Sequence, residues 1–342
     1  MKKIALVSPF TLPEPCGNSI LTDRMQRGLL ERGFAVRVFN SAHDDPADAV
    51  AFGPDLIHSI HTLRPAAWLD RLFDGFDAPL CITLTGTDYN CLDDADASHA
   101  ALEHYWRKAA ALVVFHQNAR KLIAAGAPWA APKLHIIPQG IEAAPGPADR
   151  QAIRQTWGLP ADAVLFLMVS GIRPVKNIPF ALRAFQQVEQ KTDSAAFVHA
   201  GPVLDPEEAQ RVQAAGKQLH NFYALGPKTH TETCLLMAAA DVFLNTSLHE
   251  GMSGAMLESM AAGLPVIATA IAGNTTLVQD QHTGCLVPPG DCRALAGAAL
   301  ALAGDASRRR ALGACGKKCV ENYAPRRELD RYQELYRSVL QL

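Results

Sequence analysis

The sequence predicts an α/β fold made twice over, two doubly wound parallel-sheet domains in one chain, on three observations. Short apolar runs of strand type alternate with helix-period segments along the whole length. The segment IEAAPGPADR, with two Pro and one Gly close together, interrupts that alternation near residues 142–150 and reads as a linker. The 342 residues exceed one average domain and suit two.

In the first half, KIALVS is a strand and NSILTDRMQRGLLERG an amphipathic helix, with Asn18 as its N-cap and Gly33 as its stop. AVRVF, DLIHSI, PLCITLT, ALVVF and LHIIP follow as strands, with helices around 64–73, 98–110 and 118–125. Beyond the linker, VLFLMVS, AAFVHA, NFYAL, DVFLN, PVIAT and GCLVP repeat the pattern, with helices near 178–190, 206–219, 230–239 and 254–262. Strands alternating with helices imply parallel sheets covered on both faces. The last segment, RRELDRYQELYRSVLQL, is helical in period. The expected domains are therefore 1–145 and 150–322, with a final helix at 323–342.

Composition narrows the function classes. A hydrophobic content of 49%, a charged content of 19% and a net charge of −2 describe a globular chain with apolar residues enough for two cores. That charge argues against nucleic acid as a partner, since binding a polyphosphate backbone needs a basic surface. The basic runs at 308–310, 317–318 and 326–327 read as solvated helix faces. The eight cysteines show no C-x-x-C spacing, and MKKIALVSPF lacks an apolar leader core with a cleavage site. They read as reduced thiols of a cytoplasmic protein, and no apolar run is long enough to span a bilayer.

The chemistry concentrates between Asp241 and Ala270. DVFLN is a strand, SLHEGMSG a loop of small residues, AMLESMAAG a helix stopped by Gly263, and LPVIAT a second strand. Loops of this kind leave the carboxyl edge of a parallel sheet, where open α/β sheets bind ligands. Gly251, Met252, Ser253 and Gly254 place backbone amides at a helix start, which suits an anion such as a diphosphate. Glu250 on the loop and Glu258 one turn into the helix can accept protons from sugar hydroxyls. A second loop, SPFTLPEPCGNSI, sets Gly17 and Asn18 before the first long helix. It lacks G-x-G-x-x-G, which speaks against a dinucleotide-dependent dehydrogenase. Asp94-Ala95-Asp96 spells D-x-D but reads as an acidic loop entering a helix. HEGMSG is not H-E-x-x-H, and no G-x-S-x-G elbow occurs, so neither a metal nor a serine nucleophile is expected.

The E-x7-E element Glu250 to Glu258, within HEGMSGAMLESMAAGLPVIAT, resembles the donor-site signature of the retaining GT-B glycosyltransferase family, usually E-G-F-G-L…E-A-M-A-x-G-x-P-V. SGIRPVKN (170–177) resembles that family's strand-loop with an Arg and a Lys for the diphosphate, here Arg173 and Lys176. FVHAGP (197–202) resembles the next strand and its glycine turn at Gly201, and TGCLVPPGD (283–291) the segment near the end of that domain. LTGTDYN (84–90) is similar to the family's T-x-H-G-x-D loop, with Gly86 and Asp88 matching and Thr85 in the place of its His. His58 and His61 are candidates to supply an imidazole instead, against a reading of His58 as a core residue and His61 as a loop residue. The resemblance is strong over 160–342 and weaker before it.

It implies a GT-B fold, two Rossmann-like domains facing a cleft, with the last helix crossing back to the first domain. It also implies retaining transfer of a hexose from a nucleotide sugar, a UDP-sugar such as UDP-N-acetylglucosamine or UDP-glucose, to a small-molecule or glycan acceptor, with no cofactor and no metal. In that reading Arg173, Lys176 and Glu250 are catalytic, and Gly17, Asn18, Gly201, Gly251, Met252, Ser253, Gly254 and Glu258 bind the donor. Thr85, Gly86, Asp88 and His61 contact the sugar or acceptor. Gly17-Asn18 for Gly-Gly, Thr85 for His, and Gly273-Asn274 for Gly-x-x-Glu are similar to selenosugar synthases, which use selenophosphate, and to some glycosyltransferase-domain proteins. A UDP-sugar 2-epimerase and a non-catalytic nucleotide-sugar-binding protein are the remaining alternatives.

Overall fold

A computed structural model describes residues 1–13, 16–89, 97–142 and 149–342. Cys91, the Asp94-Ala95-Asp96 motif and residues 143–148 of the expected linker lie outside them. The chain divides into two compact units, one of Met1–Gly140, Glu250–Met252 and Tyr323–Leu342, the other of Ile141–His249 and Ser253–Asn322. Each contains one six-stranded sheet.

In the first unit the strands are β1 (Lys3–Ser8), β2 (Ala35–Asn40), β3 (Leu56–Ile60), β4 (Leu80–Thr83), β5 (Ala111–Val114) and β6 (Leu134–Ile136). They pair in parallel in the order β2-β1-β3-β4-β5-β6, the flavodoxin-like winding. Helices α1 (Gly17–Glu31), α2 (Pro46–Phe52), α3 (Ala66–Phe73), α4 (Ala97–Lys108) and α5 (Gln117–Gly126) connect them. Trp68, Tyr105 and Trp106 anchor the core with Phe39, Ile82 and Leu112. β3 and β4 are buried along their whole length, as central strands covered on both faces must be.

Helix α1 corrects one expectation: its N-cap is Cys16, two residues before Asn18. The Ser19 hydroxyl accepts the Cys16 N–H at 2.9 Å, so the helix starts two residues earlier, and Asn18 lies inside its first turn. Gly33, at φ +81°, follows the C-cap and ends the helix in the left-handed conformation that a glycine adopts without strain. Helix α2 was not expected; Asp45 caps it through the Ala47 N–H and Pro46 opens it.

Helix α13 (Pro325–Val339) belongs to the first unit. It buries Glu328, Leu329, Tyr332, Leu335 and Tyr336, a stripe of helical period. Leu329 fills the space that a Cβ on Gly28 of α1 would take. Glu328, fully buried, accepts from Arg24 Nε at 2.8 Å and from its Nη2 at 3.3 Å. Tyr336 Oη lies 2.5 Å from His58 Nδ1, His58 Nε2 lies 2.7 Å from Thr83 Oγ1, and that hydroxyl lies 3.1 Å from Tyr332 Oη. His58 is thus a core histidine.

The second unit opens with α6 (Arg150–Thr156), whose Arg154 donates to Ala239 O, Ala161 O, Ala163 O and Asp241 Oδ2. Its strands are β7 (Val164–Val169), β8 (Ala195–Ala200), β9 (Phe222–Ala224), β10 (Val242–Asn245), β11 (Val266–Thr269) and β12 (Gly284–Val287). Their order, β12-β11-β10-β7-β8-β9, is the dinucleotide-fold winding, which reverses direction between β7 and β10. Helices α7 (Ile178–Glu189), α8 (Pro206–Gly216), α9 (His230–Ala239), α10 (Gly254–Ala261), α11 (Cys292–Gly304) and α12 (Ala306–Val320) cover it. Phe185 stacks on Phe197 at 4.9 Å and meets Phe166 edge-on at 5.1 Å, which locks α7 onto β7 and β8.

Two outcomes test these contacts. Glu328→Ala leaves the buried Arg24 guanidinium uncompensated and should cost about 3–5 kcal/mol of unfolding free energy by denaturant titration. Burial pushes His58 down to about 3 from its ordinary 6.5. The unfolded chain therefore takes up a proton below pH 6.5 that the folded chain refuses, so stability is whole above that pH and falls as the solution is acidified towards 3. The slope for this one group is about 1.4 kcal/mol per pH unit. His58→Gln should be less stable at pH 7 yet lose less between pH 6 and pH 5, read from unfolding midpoints.

Candidate active site

Because β7 and β10 are parallel neighbours, the loops that leave their carboxyl ends start side by side. The first carries Arg173 and Lys176. Arg173 sits in extended backbone as the N-cap of a 3₁₀ turn, Pro174–Lys176, which Asn177 closes in the left-handed conformation at φ +51°. The second runs through Thr246–Leu248. Thr246 Oγ1 donates to Lys176 O at 2.9 Å and Leu248 N to Val175 O at 2.8 Å, so the two loops are stitched together through backbone carbonyls. The half-buried Arg173 guanidinium has no hydrogen bond or ion pair among the described residues.

A third strand fixes the base of the Arg173 loop. His199 of β8 is buried and donates from Nε2 to Ser170 O at 2.9 Å; burial lowers its pKa to about 4, so the ring is neutral near pH 7. Gly201 packs against the same carbonyl, and a Cβ there would lie 2.5 Å from the Ser170 carbonyl carbon. Gly201 N donates to Gly226 O at 2.8 Å. Gly201 thus acts through close backbone approach.

On the other loop, Ser253 caps α10 and its hydroxyl accepts the Met256 N–H at 3.3 Å. Gly254 is the first helical residue. The first four amides of a helix have no acceptor within it, and the side chain of Ser253 takes one of them. Glu258 is partly buried, and its Oε1 lies 3.0 Å from His230 Nε2. Behind the loop, Asn274 Nδ2 donates to Thr269 O at 3.0 Å and Asn245 Oδ1 at 3.3 Å, while Asn274 Oδ1 is buried with no hydrogen-bond partner among the described residues. The second unit therefore gathers Arg173, Lys176, Gly201, Ser253, Gly254 and Glu258 on the loops and the first turns of helix α10 that follow the carboxyl ends of its strands.

The remaining candidates lie in the first unit. Gly251 and Met252 are buried and Glu250 is half-buried. A Cβ on Gly251 would lie 2.7 Å from the Thr85 carbonyl carbon and 3.1 Å from Gly86 N, so only glycine fits between them. His116, the N-cap of α5, accepts the Ala119 N–H on Nδ1 at 3.0 Å and donates from Nε2 to Gly251 O at 2.5 Å. Asp88 is fully buried; its Oδ1 accepts Gly86 N at 2.9 Å and its Oδ2 Thr62 N at 3.3 Å, so its carboxylate shapes the Thr85-Gly86 loop. His61 is also buried, at φ +81°, with Nδ1 accepting Leu63 N at 3.1 Å and Nε2 at 2.9 Å from Thr87 Oγ1. Gly17 and Asn18 open α1 on the loop after β1.

Sequence reasoning missed His116, His199 and His230. His116 lies just past a strand and before a helix, a legible N-cap position, and Thr229 with Glu232 announces the start of α9 as a capping box. Nothing local singles out His199 within FVHA. Among the described residues, no helix is long and apolar enough to cross a membrane, and the seven cysteines are free thiols.

Solved structures establish what class of fold this is. Sucrose-phosphate synthase from Thermosynechococcus elongatus aligns over 100% of both chains with a TM-score of 0.82 at 20% identity. Anabaena HepE, solved with UDP and glucose, aligns over 99% of this chain and 100% of its own with a TM-score of 0.79 at 18% identity. The protein has the GT-B fold of two Rossmann-like α/β domains. Residues 163–305 match the family model Glycosyl transferases group 1. Glycosyltransferase 1 domain-containing protein 1 of Xenopus tropicalis is 27% identical over 63% of this chain and 64% of its own length, so the match spans less than two thirds of that relative.

Gly201→Ala should force Ser170 away from β8 and destabilise the second unit by about 1–3 kcal/mol, as overpacking does, measured by chemical denaturation. A Gly17→Ala control meets no neighbouring atom within 4 Å and should fall within about 0.5 kcal/mol of the parent.

Proposed function

We propose that the protein is a metal-independent glycosyltransferase that moves a hexose, with retention of configuration, from a UDP-sugar such as UDP-N-acetylglucosamine or UDP-glucose to a small-molecule or glycan acceptor in the cytoplasm. The observation that carries this reading is the pair of loops at the β7–β10 reversal, cationic on one side and opening a helix on the other, within a glycosyl transferases group 1 domain. The UDP in the HepE structure supports the choice of nucleotide.

In this mechanism Arg173, Lys176 and the amides at the start of α10 stabilise charge developing on the leaving diphosphate. The bond between the sugar's anomeric carbon and the diphosphate oxygen breaks while a bond to the acceptor oxygen forms on the same face. The acceptor's proton passes to a diphosphate oxygen, and UDP departs. Glu258 accepts from the ribose hydroxyls and Glu250 from those of the hexose, as charge-assisted hydrogen bonds.

Incubation with UDP-sugars, with and without a cell-extract acceptor pool, tests the activity. Release of UDP that depends on the pool is the expected result. An epimerised sugar, or binding without turnover, would overturn it. Lys176→Ala should lower kcat by about 10²–10³-fold with the fold intact, the usual loss for one transition-state donor. Glu258→Ala should weaken UDP binding, and unchanged kinetics in both variants would remove the site from consideration.

A further inference from the structure

Beside Glu258 the second unit places two residues that the mechanism above does not use, His230 and Cys234. His230 is the first residue of α9, and its Nε2 lies 3.0 Å from Glu258 Oε1 and 3.8 Å from Cys234 Sγ, one turn further along its own helix. The helix start is held firmly. Thr229 Oγ1 accepts Glu232 N at 3.2 Å, Glu232 Oε2 accepts from both Thr229 N and Thr229 Oγ1 at 2.8 Å, and Thr233 Oγ1 donates to His230 O at 2.7 Å. These bonds occupy the neighbouring carboxylate, while Lys228 Nζ is taken up by Leu225 O at 2.6 Å. Glu258 is left as the carboxylate that His230 meets.

The pairing runs against local preference. A cation at the first position of a helix opposes the macrodipole. Yet the sulfur of Cys234 and the carboxylate of Glu258 raise the His230 pKa, against the effect of burial, and so favour the protonated ring. One nitrogen provides one N–H, and the carboxylate at 3.0 Å takes it in preference to the sulfur at 3.8 Å. Glu258 therefore has one oxygen engaged within the protein, and its side chain stays partly open to solvent.

We propose that His230 is a positioning residue for the nucleotide site, holding Glu258 Oε1 so that Oε2 is presented in a fixed direction to the ligand's hydroxyls. This inference rests on the reading of Glu258 as the ribose-binding carboxylate. It makes His230 a determinant of donor affinity, through Glu258 and without touching the ligand.

The test measures UDP binding by calorimetry, donor KM and kcat, and thermal midpoints for His230→Leu, His230→Gln, Glu258→Ala and the double variant His230→Leu/Glu258→Ala. Leu keeps the volume and removes the donor, while the Gln amide can place an N–H where Nε2 stands. His230→Leu should weaken UDP binding about tenfold, the usual loss of one hydrogen bond to a charged group, and raise KM with kcat little changed. His230→Gln should stay within about threefold of the parent. In the Glu258→Ala background the Leu change should add less than about twofold. Unchanged binding in His230→Leu while Glu258→Ala binds weakly overturns the positioning role alone. A full additional loss in the double variant also overturns it, because His230 would then act on the nucleotide independently. Parental binding in Glu258→Ala overturns the ribose-binding reading and this inference with it. If His230→Leu does not fold, loss of binding in His230→Gln at an unaltered thermal midpoint contradicts the proposal by itself.

Discussion

Strands β7 and β10 pair in parallel, Val242 beside Phe166 and Phe243 beside Leu167, and the chemistry of the second unit depends on that ladder. Everything from α7 to α9 lies between these strands in the sequence, yet their carboxyl ends emerge together. A sheet wound without a reversal there would send the Arg173 loop and the Ser253 helix start to distant places. The bonds from Thr246 and Leu248 to Lys176 and Val175 then turn proximity into fixed register, since they join backbone to loop and do not depend on the mobile ends of long side chains. The cations are thereby placed by β-sheet geometry.

Imidazoles do much of the bracing within each unit. His199 holds Ser170 and Gly201's neighbourhood, His116 holds Gly251, His61 holds Thr87 and the Leu63 amide, and His58 ties the C-terminal helix to β4. His58, His116 and His199 have pKa values lowered by burial, which suits a ring that must both give and receive at fixed points. His230 is the opposite case, half-exposed beside a carboxylate and raised. The same side chain serves as a neutral strut where it is enclosed and as a cation where an acid faces it.

The twelve strands described were legible in the sequence as short apolar runs bounded by turn residues, most plainly where the strand is buried throughout, as in β5 (Ala111–Val114) and β10 (Val242–Asn245). Helices α6, α11 and α12 were harder to read: α6 follows the Pro- and Gly-bearing segment, and α11 is Ala-rich with little contrast between its faces. The start of α1 was misplaced because an Asn is a better intrinsic cap than a Cys, and the bond that decides the matter comes from Ser19. Glu250 and Glu258 stood out in the sequence because one lies on the glycine-bearing loop and the other one turn into the helix that follows it. The partners of His58 were not, because Tyr332 and Tyr336 come from the far end of the chain and only tertiary packing brings them to β3. For the same reason Asp88 looked like a ligand contact in sequence, and only the structure reveals that Gly86 and Thr62 occupy its oxygens.

The bond between Arg24 and Glu328 joins residues 304 positions apart. On the ribosome, the guanidinium of α1 emerges long before the carboxylate that neutralises it, and the amino-terminal unit cannot finish its interior until α13 has been made. Without α13 that guanidinium would lose its buried carboxylate partner, and the space beside Gly28 that Leu329 fills would lie open. Folding of the earliest-made part is thus completed by a helix encoded far downstream.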